Sequence, residues 1–499
     1  MPSEATVLTP SAPEPASIRP QGIVALAVAA IVAISVWRLV LALFDRTELS
    51  TDEAQYWAWG QSLAFGYYSK PPLIGWIIRA STDLLGQSVA AVRVAAPLLH
   101  AATAVILFLI ARRVVSVSVA AIAALSYLTM PAVAVGSALM TTDTPLLTCA
   151  ALALLLQLRL AEARAGHRRA RGLALVFGLA LGAGLLAKHA MVFWLVGACI
   201  AAWASPRFRL RASDAMIALV AFLVVIAPHL WWLAQSGFIT LAHVQQITQG
   251  TGLSVLRPLV FGAQQALVMG PILVIAMALA AAGSPHSALT AGLVVMTLTP
   301  LVIVLAQGVK GPVLANWAVL SLVPGSILAA MWLVRHPLAT ALSLALGLAV
   351  TLALPLVKVF PTALPHPQGK PLMARYLGHE GAARWMLRTA TEVGAATLVV
   401  PSRDLMADLR WFGPDTTLAL RALPPVGRPA HHWELTAAFD PVADPGPVNL
   451  IWPKEQPQPC PTAIPVGHFT APPGAYGGRS FLMLRLTETD CLRRGKAIR

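Results

Sequence analysis

Two adjacent acids and a nearby lysine could do chemistry in a chain that is otherwise strongly apolar. Asp52 and Glu53 are neighbours, and Lys70 follows them, directly before Pro71 and Pro72. A carboxylate there could be a general base that deprotonates a hydroxyl, and the lysine could bind a phosphate as a point charge. A structural interpretation is equally good, because acids favour the first turn of a helix and an interfacial lysine can extend to lipid head groups.

Further polar residues interrupt the apolar runs later in the chain. Asp143 stands just before Pro145, where the structural alternative is the start of a helix. Lys188 lies between two short apolar runs, and a cation there is costly unless it meets an anion or water. Aromatic residues suit either a sugar-stacking surface or the commoner aromatic belt of a membrane protein. The remaining candidates for contact with phosphate or substrate are His243, Lys310, Asn316, Trp317, Tyr67 and Tyr68.

The composition indicates that lipid surrounds most of the chain. Of the 499 residues, 57% are hydrophobic and only 11% are charged, whereas a soluble domain carries about 25% charged residues. The mean hydropathy is +0.71. The net charge of +15 is scattered in short clusters between apolar runs, a pattern that sets orientation in a bilayer and does not indicate a nucleic-acid partner.

About eleven apolar runs are long enough to be considered as membrane spans. A spanning helix needs roughly 17–25 mainly apolar residues. The two runs that flank Lys188 are short and could be half-helices or tilted helices. The runs are 23–44, 89–111, 114–136, 144–161, 172–187, 190–204, 215–233, 259–282, 287–306, 313–333 and 338–359.

The distribution of arginine predicts which loops face the cytoplasm. With the N-terminus in the cytoplasm, the arginine-rich loops at 112–113, 159–171 and 207–211 all fall inside. The first loop, which carries Asp52 and Glu53, then lies outside together with Asp143. An odd number of spans also leaves the chain from about residue 360 onward outside the cytoplasm.

We therefore predict three regions, namely a disordered cytoplasmic N-terminus (1–20), a transmembrane module (21–359) and a soluble α/β domain (360–499). In the last region, residues 397–401, 449–452 and 480–486 are typical of strands, and residues 403–411 of an amphipathic helix. An oxidising compartment would permit a disulfide between Cys460 and Cys491. We find no metal-ligand spacing among the cysteines and no catalytic cluster in this domain.

The ordered pattern of these motifs resembles the GT-C membrane glycosyltransferases. The nearest resemblance is to the family 39 type, which includes protein O-mannosyltransferases and the aminoarabinose transferase that acts on lipid A. It covers roughly residues 40–335. The matching residues are Asp52 with Glu53, 67–72, Arg93, 142–145, 182–188 and Asn316 with Trp317.

The resemblance implies transfer of a sugar from a polyprenyl-phosphate carrier to a lipid, glycan or protein acceptor. It assigns Asp52 as the base, with Glu53 in support and Asp143 as a second acid. It also implies a multi-pass protein of the bacterial inner membrane, with its active site and C-terminal domain on the periplasmic side. The donor phosphate would be held by Lys70, Lys188, His243 and Lys310, and the substrate by Tyr67, Tyr68, Asn316 and Trp317.

Some points stay open after this comparison of motifs. The chain has Gln245 and Gln246 where some relatives have an acid and a histidine, and this departure argues against a metal in that loop. We therefore predict no particular cofactor and leave a divalent metal as an alternative. One alternative function is an oligosaccharide ligase or polymerase. A transporter of lipid-linked sugars is less favoured, because no internal repeat is visible and the charges lie mainly at one membrane face.

Overall fold

The chain folds into a large helical part, which ends at Val359, and a smaller part built around a five-stranded sheet. The computed structural model describes residues 19–250, 252–283, 287–365 and 370–494. All but the last two residues of the segment predicted to be a disordered N-terminus therefore lie outside the description.

The helical part contains seventeen α-helices within the described residues. Between α15 and α16 the chain forms a 3₁₀ segment, Ala315–Ser321. The helices are α1 Pro20–Leu43, α2 Thr51–Gln61, α3 Leu73–Leu85, α4 Val89–Arg93, α5 Ala95–Val114, α6 Val117–Thr129, α7 Pro131–Ala138, α8 Asp143–Ala165, α9 Arg171–Ala187, α10 Met191–Ala204, α11 Ala212–Gln235, α12 Ile239–Thr248, α13 Leu256–Met269, α14 Pro271–Gly283, α15 Ala288–Lys310, α16 Leu322–Leu333 and α17 Pro337–Val359.

The helices make this chain a multi-pass membrane protein. Among the described residues, seven helical segments are long and apolar enough to cross a membrane, or nine if each of two bent pairs is one span. All eleven predicted runs are helical, but α9 and α10, with 17 and 14 residues, are short for a bilayer core about 30 Å thick. The prediction of eleven spans is therefore not confirmed beyond nine.

Proline explains both bends. The pair α6 and α7 is bent by 56° and the pair α13 and α14 by 109°, and in each case the second helix begins with a proline. Pro131 and Pro271 lack the N–H that would continue the preceding helix. At the second bend, Gly270 adopts φ +96°, a conformation that glycine reaches without steric cost.

Small residues let α9 approach α11 closely. A Cβ atom added to Gly178 would overlap the carbonyl group of Ala218, and one added to Gly182 would overlap Val225. Close backbone contact through glycine is a common way to pack helices in a membrane. Because α9 ends at Ala187, this packing sets the position of Lys188, the next residue.

The smaller part carries a mixed sheet with three shorter helices. The sheet order is β2-β1-β3-β5-β4, with β1 parallel to β2 and β3, and β5 antiparallel to β3 and β4. The elements are α18 His379–Glu392, β1 Thr397–Val400, α19 Arg403–Phe412, β2 Ala419–Ala422, α20 His432–Thr436, β3 Val448–Pro453, β4 Ile464–Thr470 and β5 Ser480–Arg485.

The structure confirms the three predicted strands and the predicted helix of this domain. Two further strands are additional to the prediction. Strand β2 has only four residues, and β4 contains Pro465 and Gly467, which are unfavourable in strands. Cys460 and Cys491 are joined by a disulfide, which ties the loop before β4 to the end of the domain.

A buried ion pair lies inside the sheet domain. Nδ1 of His379 is 2.8 Å from Oδ2 of Asp408, and the hydroxyl of Tyr476 donates to the same oxygen at 2.7 Å. Burial would lower the pKa of His379, but the hydrogen bond and charge of Asp408 outweigh burial and raise this pKa to about 9. The imidazolium therefore persists at neutral pH and links α18 to α19.

We expect His379→Ala to lower the stability of the protein by about 3 kcal/mol, because it leaves the Asp408 carboxylate buried without its cation. Since the folded pKa of His379 exceeds its unfolded value of about 6.5, the stabilisation is complete below pH 6.5 and is lost as the pH rises through about 9. Thermal unfolding in detergent at pH 6 and pH 9.5 measures this, with the exposed His468→Ala as control. An equal loss at both pH values would contradict the assignment.

Candidate active site

A buried arginine holds the first loop against the membrane helices. Arg93 is 2% exposed, and its nitrogens lie 2.8 Å from each oxygen of Glu53 and 2.8 Å from Oδ2 of Asp45. Nζ of Lys358, on α17, binds the same Asp45 oxygen at 2.6 Å. Two cations thus face two carboxylates, and such compensation is what allows charges to be buried. The cluster fixes the loop after α1 against α4 and α17.

Glu53 belongs to this cluster and also helps to cap the start of helix α2. Its Oε2 accepts a hydrogen bond from the N–H of Ser50, while the hydroxyl of Ser50 accepts one from the N–H of Glu53, which is a capping box. Its Oε1 accepts from the N–H of Met140. Burial would raise the pKa of Glu53, but Arg93 outweighs burial and the pKa falls to about 2. Both oxygens are occupied, so these contacts hold the first loop in position. The supporting catalytic role expected for Glu53 stays a prediction.

Asp52, one residue earlier, has a different environment. Its side chain is 46% exposed, and Oδ1 lies 2.8 Å from an Nη atom of Arg403 on α19. Successive residues of a helix point about 100° apart, so Glu53 can face the buried cluster while Asp52 faces the sheet domain. The capping box therefore accounts for Glu53, whereas Asp52 keeps only the weaker structural explanation of its place in the first turn of α2.

The second acid, Asp143, joins three elements. It stands in the first turn of α8, where its Oδ1 lies 2.5 Å from Nζ of Lys188 and its Oδ2 accepts from Nδ2 of Asn316 at 2.7 Å. The N-cap of α8 is Thr142, which makes no side-chain capping bond. Asp143, Lys188 and Asn316, which were predicted to share one membrane face, thus meet through Asp143 from the start of α8, the end of α9 and the 3₁₀ segment before α16.

Lys70 completes the cluster as a cation with no ion pair or side-chain hydrogen bond within the described ranges. It lies in the loop between α2 and α3, half-buried. Burial lowers the pKa of Lys70, Lys188 lowers it further, and Asp52 and Asp143 oppose this. Lys70 therefore lies within electrostatic range of Lys188, Asp52 and Asp143. An ammonium group in such a place is suited to a bound anion.

The two tyrosines beside Lys70 have mainly structural contacts. Tyr67 is 4% exposed, its ring stacks on Trp59 with centroids 4.7 Å apart, and its hydroxyl donates to the carbonyl of Trp59 at 2.8 Å. The hydroxyl of Tyr68 donates to the carbonyl of Pro429 in the sheet domain at 3.0 Å. These contacts give the loop its shape. The contact with substrate expected for Tyr67 and Tyr68 stays a prediction.

His243, on α12, lies beside Tyr68, and two other candidates make no contact with the acids and lysines of the cluster among the described residues. The His243 ring is 5.0 Å from that of Tyr68, and its pKa is lowered by burial and then by Lys70 and Arg403. Trp317 packs with the apolar residues around Phe261. Lys310 is exposed at the end of α15, and its side chain pairs with no group in the part of the chain that is described.

Two features of the site were missed in the sequence. Arg403 contacts Asp52 from 351 residues away, and no local pattern indicates that contact. His189 and His229 place their Nε2 atoms 3.0 Å apart, and Nδ1 of His229 is 2.7 Å from the carbonyl oxygen of Phe65. The position of His189 next to Lys188 was a usable signal for the first of these histidines.

A large cavity lies between the first loop and the sheet domain. Its volume is about 720 Å³, and its walls include Trp57, Trp59, Trp433 and Arg410 but not Asp52 or the lysines.

Among the residues that the structure describes, no group of three or more His, Cys, Asp or Glu is arranged to hold a metal ion.

Together, the described residues form a site with an accessible carboxylate, a second carboxylate held by two partners, and several cations. Asp52 can accept a proton, whereas Lys70 and Lys188 can stabilise negative charge that develops on a leaving group. The arrangement suits the transfer of a group from a phosphate carrier to a hydroxyl.

Known proteins resemble the chain in both sequence and fold. Residues 69–232 match the family described as dolichyl-phosphate-mannose-protein mannosyltransferase. A lipid A galacturonosyltransferase of Rhizobium johnstonii, RgtD, is 36% identical over 412 residues, which are 81% of this chain and 86% of the relative. A lipopolysaccharide core galacturonosyltransferase of the same organism, RgtA, is 30% identical over 202 residues, which are 40% of each chain.

Solved structures share the fold over almost the whole chain. The crystal structure of ArnT from Cupriavidus metallidurans in the apo state has a TM-score of 0.61 at 15% identity, covering 93% of this chain and 98% of that one. The structure of the same protein bound to undecaprenyl phosphate also has a TM-score of 0.61, at 16% identity, covering 94% and 99%. At this identity the likeness concerns the fold.

These relatives and the fold together define a membrane glycosyltransferase of the GT-C class, as the motifs indicated. More narrowly, the chain belongs to the family of the lipid A galacturonosyltransferase RgtD. It is therefore an enzyme, and the transporter alternative is set aside.

We expect Glu53→Gln to lower the stability of the protein by about 3–5 kcal/mol, because it leaves Arg93 buried without its main counter-ion. Asp52→Asn, at a half-exposed position, should change stability by no more than about 0.5 kcal/mol. Unfolding temperatures of the two purified variants in detergent measure the difference. If Glu53→Gln keeps the wild-type unfolding temperature while activity disappears, Glu53 is a catalytic group and the positioning role is wrong.

Proposed function

We propose that this protein transfers galacturonic acid from a polyprenyl-phosphate carrier to lipid A at the periplasmic face of a bacterial inner membrane. The carrying observation is the ion pair of Lys188 with Asp143 at 2.5 Å, together with the charges of Asp52, Asp143 and Lys188 that act on Lys70. The sugar and the acceptor are suggested by the relative RgtD, which is described as a lipid A galacturonosyltransferase. The carrier is suggested by the motifs and by the undecaprenyl phosphate bound to ArnT.

In the proposed reaction Asp52 takes the proton from a hydroxyl of the acceptor. The hydroxyl oxygen then forms a bond to the anomeric carbon of the sugar, while the bond from that carbon to the phosphate oxygen breaks. The electron pair of the broken bond leaves with the polyprenyl phosphate. Attack from the face opposite the phosphate inverts the anomeric centre. Phosphate is a good leaving group, so no general acid is needed opposite the base.

The two lysines have different roles in this mechanism. Lys70, without a counter-ion of its own among the described residues, would bind the phosphate of the donor directly. Lys188 would add a second positive charge and is held in place by Asp143, which in turn accepts a hydrogen bond from Asn316. Preorganised charge of this kind stabilises a leaving group without having to move during the reaction.

Two observations support the periplasmic placement. The arginine-rich loops predict that the first loop and the sheet domain lie on the side away from the cytoplasm. The disulfide between Cys460 and Cys491 fits the same side, because disulfides persist in oxidising compartments such as the periplasm.

We expect Asp52→Asn to lower kcat by about 10²–10⁴-fold, the usual contribution of a general base, with little change in KM for the donor. We expect Lys70→Ala chiefly to raise that KM, by about 10-fold or more, because a charge-assisted contact to the phosphate is lost. A transfer assay measures both effects, with purified protein in nanodiscs, labelled polyprenyl-phosphate galacturonic acid as donor and lipid A as acceptor. Wild-type kcat in Asp52→Asn would contradict the base assignment.

Asp83→Asn is the matched control for the first variant. Asp83 is 57% exposed and, among the described residues, pairs only with Arg79 on the same helix, so the substitution should leave transfer unchanged. A wild-type protein that transfers sugar to an oligosaccharide and not to lipid A would favour the ligase alternative over the proposed acceptor.

A further inference from the structure

The cations and acids of the site are unequally paired. Lys188 is held by Asp143 at 2.5 Å and Arg403 by Asp52 at 2.8 Å, whereas Lys70 has no such partner within the described residues. A donor phosphate can therefore bind Lys70 without displacing anything. Arg403 is different, because it occupies an oxygen of the residue proposed to be the base.

The ion pair between Arg403 and Asp52 is weak enough for Arg403 to exchange Asp52 for another anion. Their side chains are 39% and 46% exposed, and ion pairs with that exposure contribute little to stability. Asp52 Oδ1 is the sole hydrogen-bond acceptor of the Arg403 side chain among the described residues. The buried pair of Arg93 and Glu53, with two matched hydrogen bonds, shows by contrast what a permanent contact looks like in this chain.

Domain docking does not require this ion pair, because other contacts already hold the sheet domain. Both oxygens of Glu48 accept hydrogen bonds from the first backbone N–H groups of α18, at 2.6 and 3.1 Å. The side chain of Gln87 donates to the carbonyl of Trp411 at 3.1 Å. The hydroxyl of Tyr68 donates to the carbonyl of Pro429, as described above. Arg403 is thus available for another role at the site.

A uronic acid brings the chemical group that fits Arg403. Its C6 carboxylate is planar, and a guanidinium group can bind both of its oxygens through parallel hydrogen bonds. A neutral hexose has a hydroxymethyl group at the same carbon and offers no anion. Arg403 also lies close enough to act electrostatically on Lys70, the proposed phosphate ligand, so phosphate and carboxylate of one donor can face two cations of one site.

We infer that Arg403 binds the carboxylate of the transferred uronic acid, and that binding exchanges its ion pair with Asp52 for one with the sugar. This inference rests on the proposed function. The exchange releases an oxygen of Asp52 for the acceptor hydroxyl when an acidic sugar is in place. Arg403 is then a specificity-determining residue, supplied to the membrane site by the sheet domain.

Two donors that differ only at C6 test the inference. The donors are polyprenyl-phosphate galacturonic acid and polyprenyl-phosphate galactose, and the measured quantity is the ratio of their kcat/KM values with lipid A as acceptor. We expect Arg403→Gln to lower the ratio of galacturonic acid to galactose by about 10–100-fold, the usual loss when a charge-assisted contact is removed. Arg403→Lys keeps the charge without the planar fork, so its ratio should fall by less.

Arg388→Gln is the matched control, because Arg388 is 72% exposed in the same domain and lies 3.8 Å from Glu392 on the same helix. Its ratio should equal that of the wild type. Because the readout is a ratio within one protein, partial misfolding of a variant lowers both rates and leaves the ratio unchanged.

The outcomes separate the inference from the function on which it rests. If wild type transfers galacturonic acid but Arg403→Gln leaves the ratio unchanged, Arg403 is a docking contact and the inference alone is wrong. If wild type prefers galactose, the inference and the assigned sugar are both wrong. If wild type uses neither donor, the proposed function fails and the inference fails with it.

Discussion

A charged group in the apolar part of a membrane protein is stable only when an opposite charge meets it, and Arg93 shows this constraint at work. Arg93 lies near the start of the span Val89–Val114, and only 2% of it is exposed. Glu53 and Asp45 satisfy it from the first loop, and Lys358 balances the second acid from the last helix of the membrane part. Since loss of one partner would leave an uncompensated buried charge, the loop has little freedom to move. The geometry of Asp52 follows from this anchorage.

The site is completed by elements far apart in the chain. The membrane part supplies Asp52, Asp143, Lys70 and Lys188, while the sheet domain supplies Arg403. Glu48 contributes to this assembly by accepting hydrogen bonds from the start of α18, where the helix dipole favours a negative charge. The first loop therefore carries Glu53 for anchorage and Glu48 for docking, and we propose that its Asp52 carries the chemistry.

The sequence predicted which residues share one face of the membrane, because arginine-rich loops define the opposite face. Asp143, Lys188 and Asn316 were among the residues predicted on that face, and the structure brings these three into contact. Lateral position within the face is not contained in the pattern, so the sequence could not indicate which of these residues touch. The different environments of Asp52 and Glu53 depend on the rotation of α2 relative to Arg93. The contact of Arg403 with Asp52 depends on how the sheet domain docks. No local sequence pattern indicates either the rotation or the docking.

A structure of the protein with a bound donor tests the central claim most directly. Cryo-electron microscopy of the wild-type protein in a nanodisc, with a non-transferable phosphonate analogue of polyprenyl-phosphate galacturonic acid, locates the phosphonate and the anomeric carbon. Our account predicts the phosphonate at hydrogen-bond distance, about 3 Å, from Nζ of Lys70, with the anomeric carbon facing the side of the site where Asp52 lies. A head group bound in the aromatic-lined cavity, away from Asp52 and Lys70, would contradict it.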